Sequence, residues 1–182
     1  EVCVERSRRS VERSLQLAED FAQLGRAEAV EESRFTAVDL ADLMPAAIDE
    51  AESQAYKKGI TLNLAFAPES ALTRGVRDVL FRVFINLLSN AIKYSPADAT
   101  IHVVVREAGS NVEVSVIDEG PGISAKNQEH LTERFFRPDR GRGRNSGGFG
   151  LGLSLTKAYA RIMGGSLAYE PGRPKGSVFR LI

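Results

Sequence analysis

The sequence has one cysteine, no tryptophan and no excess of charge of either sign. A single thiol, Cys3, excludes an internal disulfide and gives no cysteine-based metal cluster. Lys plus Arg and Asp plus Glu stand at 24 each, so no global basic charge calls for nucleic acid or an anionic membrane. No apolar run approaches the roughly 18 residues of a spanning helix, and no signal peptide is visible. The chain starts at Glu1 rather than at a methionine, which reads as a piece of a longer protein in a cytosol-like compartment. What is present, 182 residues with 43% apolar and 26% charged, suits one soluble domain of ordinary size with an appendage.

The rest is organised around the stretch from Val83 to Pro96. At about 100° per residue, Asn86, Asn90 and Lys93 fall on one narrow stripe of a helix, with Arg82 and Ser89 at its edges. Most of the remaining girth is apolar, which predicts a buried helix whose amides sit in the interior and need partners. Neighbouring backbone could supply them. Two amides one turn apart, with an ammonium a turn further on, also suit a bound ion and an anion, because neutral carbonyl oxygens and substrate phosphates share the shell of Mg²⁺.

Residues 2–30 carry apolar positions at Val4, Val11, Leu15, Ala18 and Ala22, beside a second stripe of Leu17, Phe21 and Leu24. This predicts a long amphipathic helix that packs in a bundle, with packing back onto the same domain as the alternative. Residues 35–38 read as a short strand, and Asp39 caps a helix from Leu40 to about Lys58 that stops at Gly59. Ile60 to Phe66 alternates as a strand, followed by a short turn region and then the asparagine helix. Two β-branched runs, Ile101 to Arg106 and Val112 to Ile117, predict a hairpin of central strands. Further on come a short helix at 124–130, an Arg/Gly-rich segment at 137–148, a helix from Gly150 to Met163, and a closing hairpin of 166–170 with 177–182. Together these give an α+β chain, a two-layer α/β sandwich with one mixed sheet and its helices on one face.

Two glycine motifs carry chemistry. Asp118-Glu119-Gly120-Pro121-Gly122-Ile123 follows a strand, and a carboxylate there can accept the adenine amino proton, whereas the guanine carbonyl would be repelled. Gly120 and Gly122 let backbone approach a flat ring, although an acidic turn is the plainer reading. Gly147-Gly148-Phe149-Gly150-Leu151-Gly152-Leu153 opens a helix, placing free N–H groups and the positive dipole end at a phosphate-sized site. It is not a P-loop, for no Lys-Ser/Thr pair follows, and Leu153 stands where a third Rossmann glycine would be.

Taken in order, these motifs resemble the catalytic and ATP-binding domain of sensor histidine kinases, in the GHKL superfamily that also holds gyrase-type ATPases, MutL-like proteins and heat-shock chaperones. Residues 86–94 look like the N box, 118–123 the first glycine box, Glu133-Arg134-Phe135-Phe136-Arg137 the F box and 148–153 the second glycine box. The resemblance extends upstream and divides the chain into residues 1–32, the second helix of a dimerisation domain, and residues 33–182, the catalytic domain. It implies ATP and Mg²⁺ as cofactors. Asn90, helped by Asn86, would bind the metal, Lys93 the phosphates, Tyr94 the nucleotide's edge, and Asp118 with Gly120, Gly122 and Ile123 the adenine. Gly148, Gly150, Leu151, Gly152 and Leu153 would hold the triphosphate under a lid at about 137–147, from which Arg137 reaches the γ-phosphate; Arg140, Arg142 and Arg144 read rather as a solvated basic loop. The implied activity is transfer of the γ-phosphate to a histidine of the protein's own dimerisation domain, in a homodimeric full-length protein that signals to a response regulator. The module would be cytoplasmic, within a protein that can be anchored in the inner or plasma membrane.

Some positions depart from the family's pattern. Val76 stands where an acid usually caps the asparagine helix, Thr132 where an aromatic stands, and Phe149 where a small residue is common between the glycines. No acceptor histidine is recognisable: His102 alternates along a strand and reads as a surface residue, and His130 lies between two ATP boxes as a surface or lid-hinge residue. No nucleophile or general base for the transfer is identifiable. The competing readings are a serine kinase or ATPase of the same superfamily, and a nucleotide-binding pseudokinase that serves as a regulatory scaffold.

Overall fold

A computed structural model describes residues 34–67, 71–137 and 149–182, together with residues 11 and 18. The expected N-terminal helix, the boundary at residue 32, Gly148 and the lid arginines 140, 142 and 144 lie outside the described residues. The elements run β1 (Thr36–Asp39), α1 (Leu40–Tyr56), β2 (Thr61–Phe66), β3 (Leu72–Gly75), α2 (Arg77–Tyr94), β4 (Thr100–Ala108), β5 (Asn111–Asp118), α3 (Ala125–Gln128), α4 (Gly152–Ile162), β6 (Leu167–Pro171) and β7 (Ser177–Leu181).

Five strands form one mixed sheet in the order β2-β4-β5-β7-β6, in which only β2 and β4 are parallel. Alternation sets its two faces. Ile101, Val103 and Val105 of β4 and Val114 and Val116 of β5 are buried against the helices, while Thr61, Asn63, His102 and Arg106 are exposed on the other side. The helices therefore cover one face, as the α+β sandwich reading required. On the uncovered face the buried Glu113 carboxylate is held by Arg106 Nε at 2.8 Å and by Ser115 Oγ at 3.0 Å, and Arg180 Nη2 meets Glu170 Oε2 at 2.9 Å.

α2 is the core of the helical layer. Leu80, Val83, Phe84, Leu87, Leu88, Ala91 and Ile92 are all buried, packed against α1, α4 and β5. Asp39 caps α1 by accepting from the Ala41 N–H at 2.9 Å, as expected from the sequence. Val76 precedes α2 with no side-chain cap, its own side chain buried instead. The segment before α2 is more than a turn region. Leu72-Thr73-Arg74-Gly75 forms β3, which pairs antiparallel with β1 as a separate two-stranded sheet. Four residues with Leu72 exposed carry no legible alternation, and their partners lie from 33 positions earlier, for Leu72 with Asp39, to 39, for Gly75 with Thr36.

Candidate functional site

Three elements bring their ends together: the C-terminal half of α2, the end of β5 and the start of α4. Asn86, Asn90 and Lys93 are half-buried along one side of α2, and Tyr94 is exposed. The expectation of amides in the interior is thereby corrected. The helix buries its apolar side, and the amide stripe lies at the margin of the core, where a ligand can reach it. A Cβ added to Gly152, the first residue of α4, would lie 3.8 Å from Asn90 Nδ2 and 3.9 Å from Asn86 Oδ1. The two amides thus face a helix N-terminus that no side chain caps. Asn86 Nδ2 is buried with no hydrogen-bond partner among the described residues, a donor that a phosphate oxygen or a metal-bound water would satisfy. Among the described residues no three His, Cys, Asp or Glu side chains cluster to hold a metal, so a cation here would rely on amide oxygens, water and its ligand's phosphates.

Lys93 extends the stripe. Its Nζ lies 5.0 Å from the centroid of the Tyr94 ring, and burial, followed by the charge of Arg137, holds its ammonium below the usual lysine value. Arg137, whose charge contributes to that shift, is the last described residue before the segment expected to form a lid.

At the other end of the site Asp118 closes β5. Its side chain is buried, and its Oδ1 accepts from the Gly120 N–H at 2.8 Å and the Ser177 N–H at 3.1 Å. Burial raises the carboxyl above the usual 3.8, and these N–H groups and the Ser177 hydroxyl partly oppose it. The following loop runs over Tyr94: a Cβ on Gly120 would sit 3.1 Å from the Tyr94 carbonyl oxygen. Gly122, at φ +71°, would place one 3.0 Å from the Gly176 carbonyl. The Ile123 N–H donates to the Tyr169 hydroxyl at 3.1 Å, and its carbonyl accepts from Gln128 Nε2 at 2.9 Å.

The second glycine segment touches the F box. The Phe135 N–H donates to the Gly150 carbonyl at 3.1 Å, and Gly150, at φ +76°, leaves no room for a Cβ beneath the Phe136 carbonyl, 2.6 Å away. Gly150 and Leu151 precede α4, which starts at Gly152 and not at Gly150 as expected. Leu153 and Phe149 are partly buried against the core, so Phe149 is tied into the domain. Thr132 accepts from Lys157 Nζ at 3.0 Å. His102 is exposed, as expected. His130, also exposed, bonds Glu133 of the F box through Nδ1 at 2.8 Å, and its ring centroid lies 5.4 Å from that of Phe136.

Residues 75–182 match the model of the histidine kinase-, DNA gyrase B- and HSP90-like ATPase family. The chain belongs to that family. Within it the similarities are to sensor histidine kinases. The sensor-like histidine kinase SenX3 of Mycolicibacterium smegmatis is 36% identical over 145 residues, covering 80% of this chain and 38% of that protein. SenX3 of Mycobacterium bovis is 39% identical over 115 residues, covering 63% of this chain and 28% of the relative. The chain thus spans well under half the length of these curated relatives. Among solved structures, the catalytic domain of histidine kinase ThkA aligns with a TM-score of 0.70 at 26% identity, over 81% of this chain and 93% of that one. Full-length ShkA in complex with AMPPNP aligns with a TM-score of 0.83 over 99% of this chain and 37% of that one; at 24% identity this speaks to fold. The described part of the chain is similar in sequence and fold to the catalytic domains of sensor histidine kinases.

Sequence reasoning missed Lys58, Gln128, Tyr169, Gly176 and Ser177. All but Gln128, five residues after Ile123, reach the site from a distant segment, and of those only Gly176 had a local signal, its place in a Gly-rich turn before the last strand.

Proposed function

We propose that this domain binds Mg·ATP and transfers its γ-phosphate to a histidine of the dimerisation domain of the same protein, in two-component signalling. The observation that carries the reading is the meeting of Asn86 and Asn90 with the uncapped start of α4, on a helix whose last residue, Tyr94, lies under the glycine loop that follows the buried Asp118. Asp118 accepts the adenine amino group, with Gly120, Gly122 and Ile123 forming the floor under the base and Tyr94 its edge. Asn90 and Asn86 would hold Mg²⁺, which would supply positive charge to offset that of the phosphates. Lys93, Arg137 and the N–H groups of Gly150, Leu151 and Gly152 hold the phosphates, with Gly148 contributing from the lid side. Leu153 supports the first turn of α4 from below. Such a site accelerates phosphoryl transfer by positioning and charge stabilisation.

The acceptor belongs to a dimerisation domain whose second helix is residues 1–32, and the full-length protein works as a homodimer with a response regulator as its phosphate acceptor downstream. The module is cytoplasmic; no described helix is long and apolar enough to cross a membrane.

Incubating the chain with radiolabelled ATP, alone and with a separate dimerisation domain carrying its histidine, tests the reading. Label should appear on the supplied domain, slowly, and disappear in acid as phosphohistidine does. The chain alone should stay unlabelled. Losing the tether removes an effective acceptor concentration on the order of millimolar. Acid-labile label on the chain alone, abolished by His130→Ala, would overturn the assignment of the acceptor to another domain.

A further inference from the structure

The turn that ends α1 places a lysine against the exit of the site helix. Lys58 Nζ donates to the backbone carbonyls of Ile92 at 2.8 Å and Lys93 at 2.9 Å, and to that of Ser95. These carbonyls belong to the end of α2, where a helix leaves its last C=O groups without intrahelical donors. A lysine near a helix C-terminus ordinarily serves its own helix; this one serves another. The turn that holds it is fixed on both sides. The Lys58 and Ile60 N–H groups donate to the Ala55 carbonyl at 2.9 and 3.0 Å, Gly59 turns the chain at φ +69°, and the Asp98 N–H donates to the Lys58 carbonyl at 3.2 Å.

This ammonium answers an electrostatic difficulty in the site. Triphosphate is to be held beside the last turns of α2, yet the C-terminal end of a helix carries the negative end of its dipole, equivalent to about half an elementary charge. An anion approaching Lys93 meets unfavourable carbonyls along with the favourable ammonium. Three of those carbonyls are turned to Lys58, and one belongs to Lys93 itself.

We propose that Lys58 is a positioning residue for the nucleotide's phosphates: without touching the ligand, it neutralises the C-terminal end of α2 and fixes the turn that presents Lys93. The proposal rests on the reading of Lys93 as a phosphate contact. It separates the two ends of the ligand, because no hydrogen bond of Lys58 reaches the Asp118 end of the cleft.

The test is a double-mutant cycle read by calorimetry with Mg·ATP and with adenosine, on the chain, Lys58→Met, Lys93→Met and the pair. Lys58→Met should weaken ATP about tenfold, the upper range of a charge at a partly buried helix end, and leave adenosine within about twofold. On the Lys93→Met background it should cost ATP clearly less than on the unmodified chain, since only the neutralisation of the helix end remains to be lost and coupled residues are not additive. Equal losses for ATP and adenosine, or additive losses in the pair, would make Lys58 a stabilising cap and overturn the proposal. If Lys93→Met weakens ATP and Lys58→Met does not, the proposal alone falls. An unchanged affinity in Lys93→Met removes the phosphate reading of Lys93, and the proposal with it. Should Lys58→Met melt below the assay temperature, Lys58→Gln takes its place, neutral but still a donor, with the same outcomes.

Discussion

At the end proposed to take the base, the loop after β5 is held by Asp118 at Gly120, by Tyr169 and Gln128 at Ile123, and by Gly176 beneath Gly122; at the end proposed to take the phosphates, α4 begins without a side-chain cap and faces an amide nitrogen with no hydrogen-bond partner among the described residues. One end is complete before any ligand arrives. The other keeps donors unsatisfied and cations close together, which a ligand with several oxygens would relieve. A planar base rewards a rigid slot, whereas a triphosphate with its ion rewards unspent donors. The contrast makes unequal demands on substitution at the two ends.

The largest effect is expected at Gly176. A Cβ there would lie 1.9 Å from the Asp118 carbonyl oxygen, at φ +103°, with backbone as the obstacle. Gly176→Ala should therefore lose at least about 3 kcal/mol of folding stability in urea unfolding. A loss below about 1 kcal/mol would show that the base end is not rigid.

Next is Asp118→Asn, which keeps size but loses the charged acceptor. ATP binding should weaken by roughly 1 to 3 kcal/mol, and the preference over GTP should shrink. Equal binding of ATP and GTP by the unmodified chain would sink the adenine assignment. The same variant should change stability in the opposite sense. Because burial raises the folded-state value of this acid, its favourable contribution is full below about pH 3.8 and is lost as pH rises through the raised value. Melting curves against pH, without nucleotide, should show that loss in the unmodified chain and not in Asp118→Asn.

At the phosphate end, Asn90→Ala should weaken Mg·ATP by about 1 to 2 kcal/mol and metal-free ADP by less, with the melting curve confirming the fold. If both ligands lose the same affinity, Asn90 is a structural amide. The smallest effect is expected for Tyr169→Phe, which leaves the Ile123 N–H without its acceptor. About 1 kcal/mol of stability should go, with adenosine affected as much as ATP.

The parts of this site legible in the sequence are those whose signal is local. The asparagine stripe follows from helical spacing, the β4–β5 hairpin from two β-branched runs around Gly109, and the glycine motifs from their places at the end of a strand and the start of a helix. What was hidden depends on distance along the chain. Tyr169 is 46 residues from Ile123, Ser177 is 59 from Asp118, and Lys58 is 34 to 37 from the carbonyls it bonds. The depth of the amides was misjudged for a related reason: periodicity gives the direction a residue faces, and only the arrival of α4 decides whether that direction is core or cleft. The strand β3 went unseen because pairing with β1, and not its own four residues, makes it a strand.

The parallel pairing of β2 with β4 has a consequence for how the chain comes together. Thr61 meets Thr100, 39 residues later, and the intervening chain contains β3 and the whole of α2. Hairpins such as β4–β5 close short loops and can form early, but β2 joins the sheet only by enclosing a long loop, whose entropy must be overcome before its contacts reward it. The crossover makes α2 part of that closure. The helix bearing the asparagines is thus seated by the same late event that completes the sheet, so a chain whose fifth strand has been added already has its nucleotide helix in place.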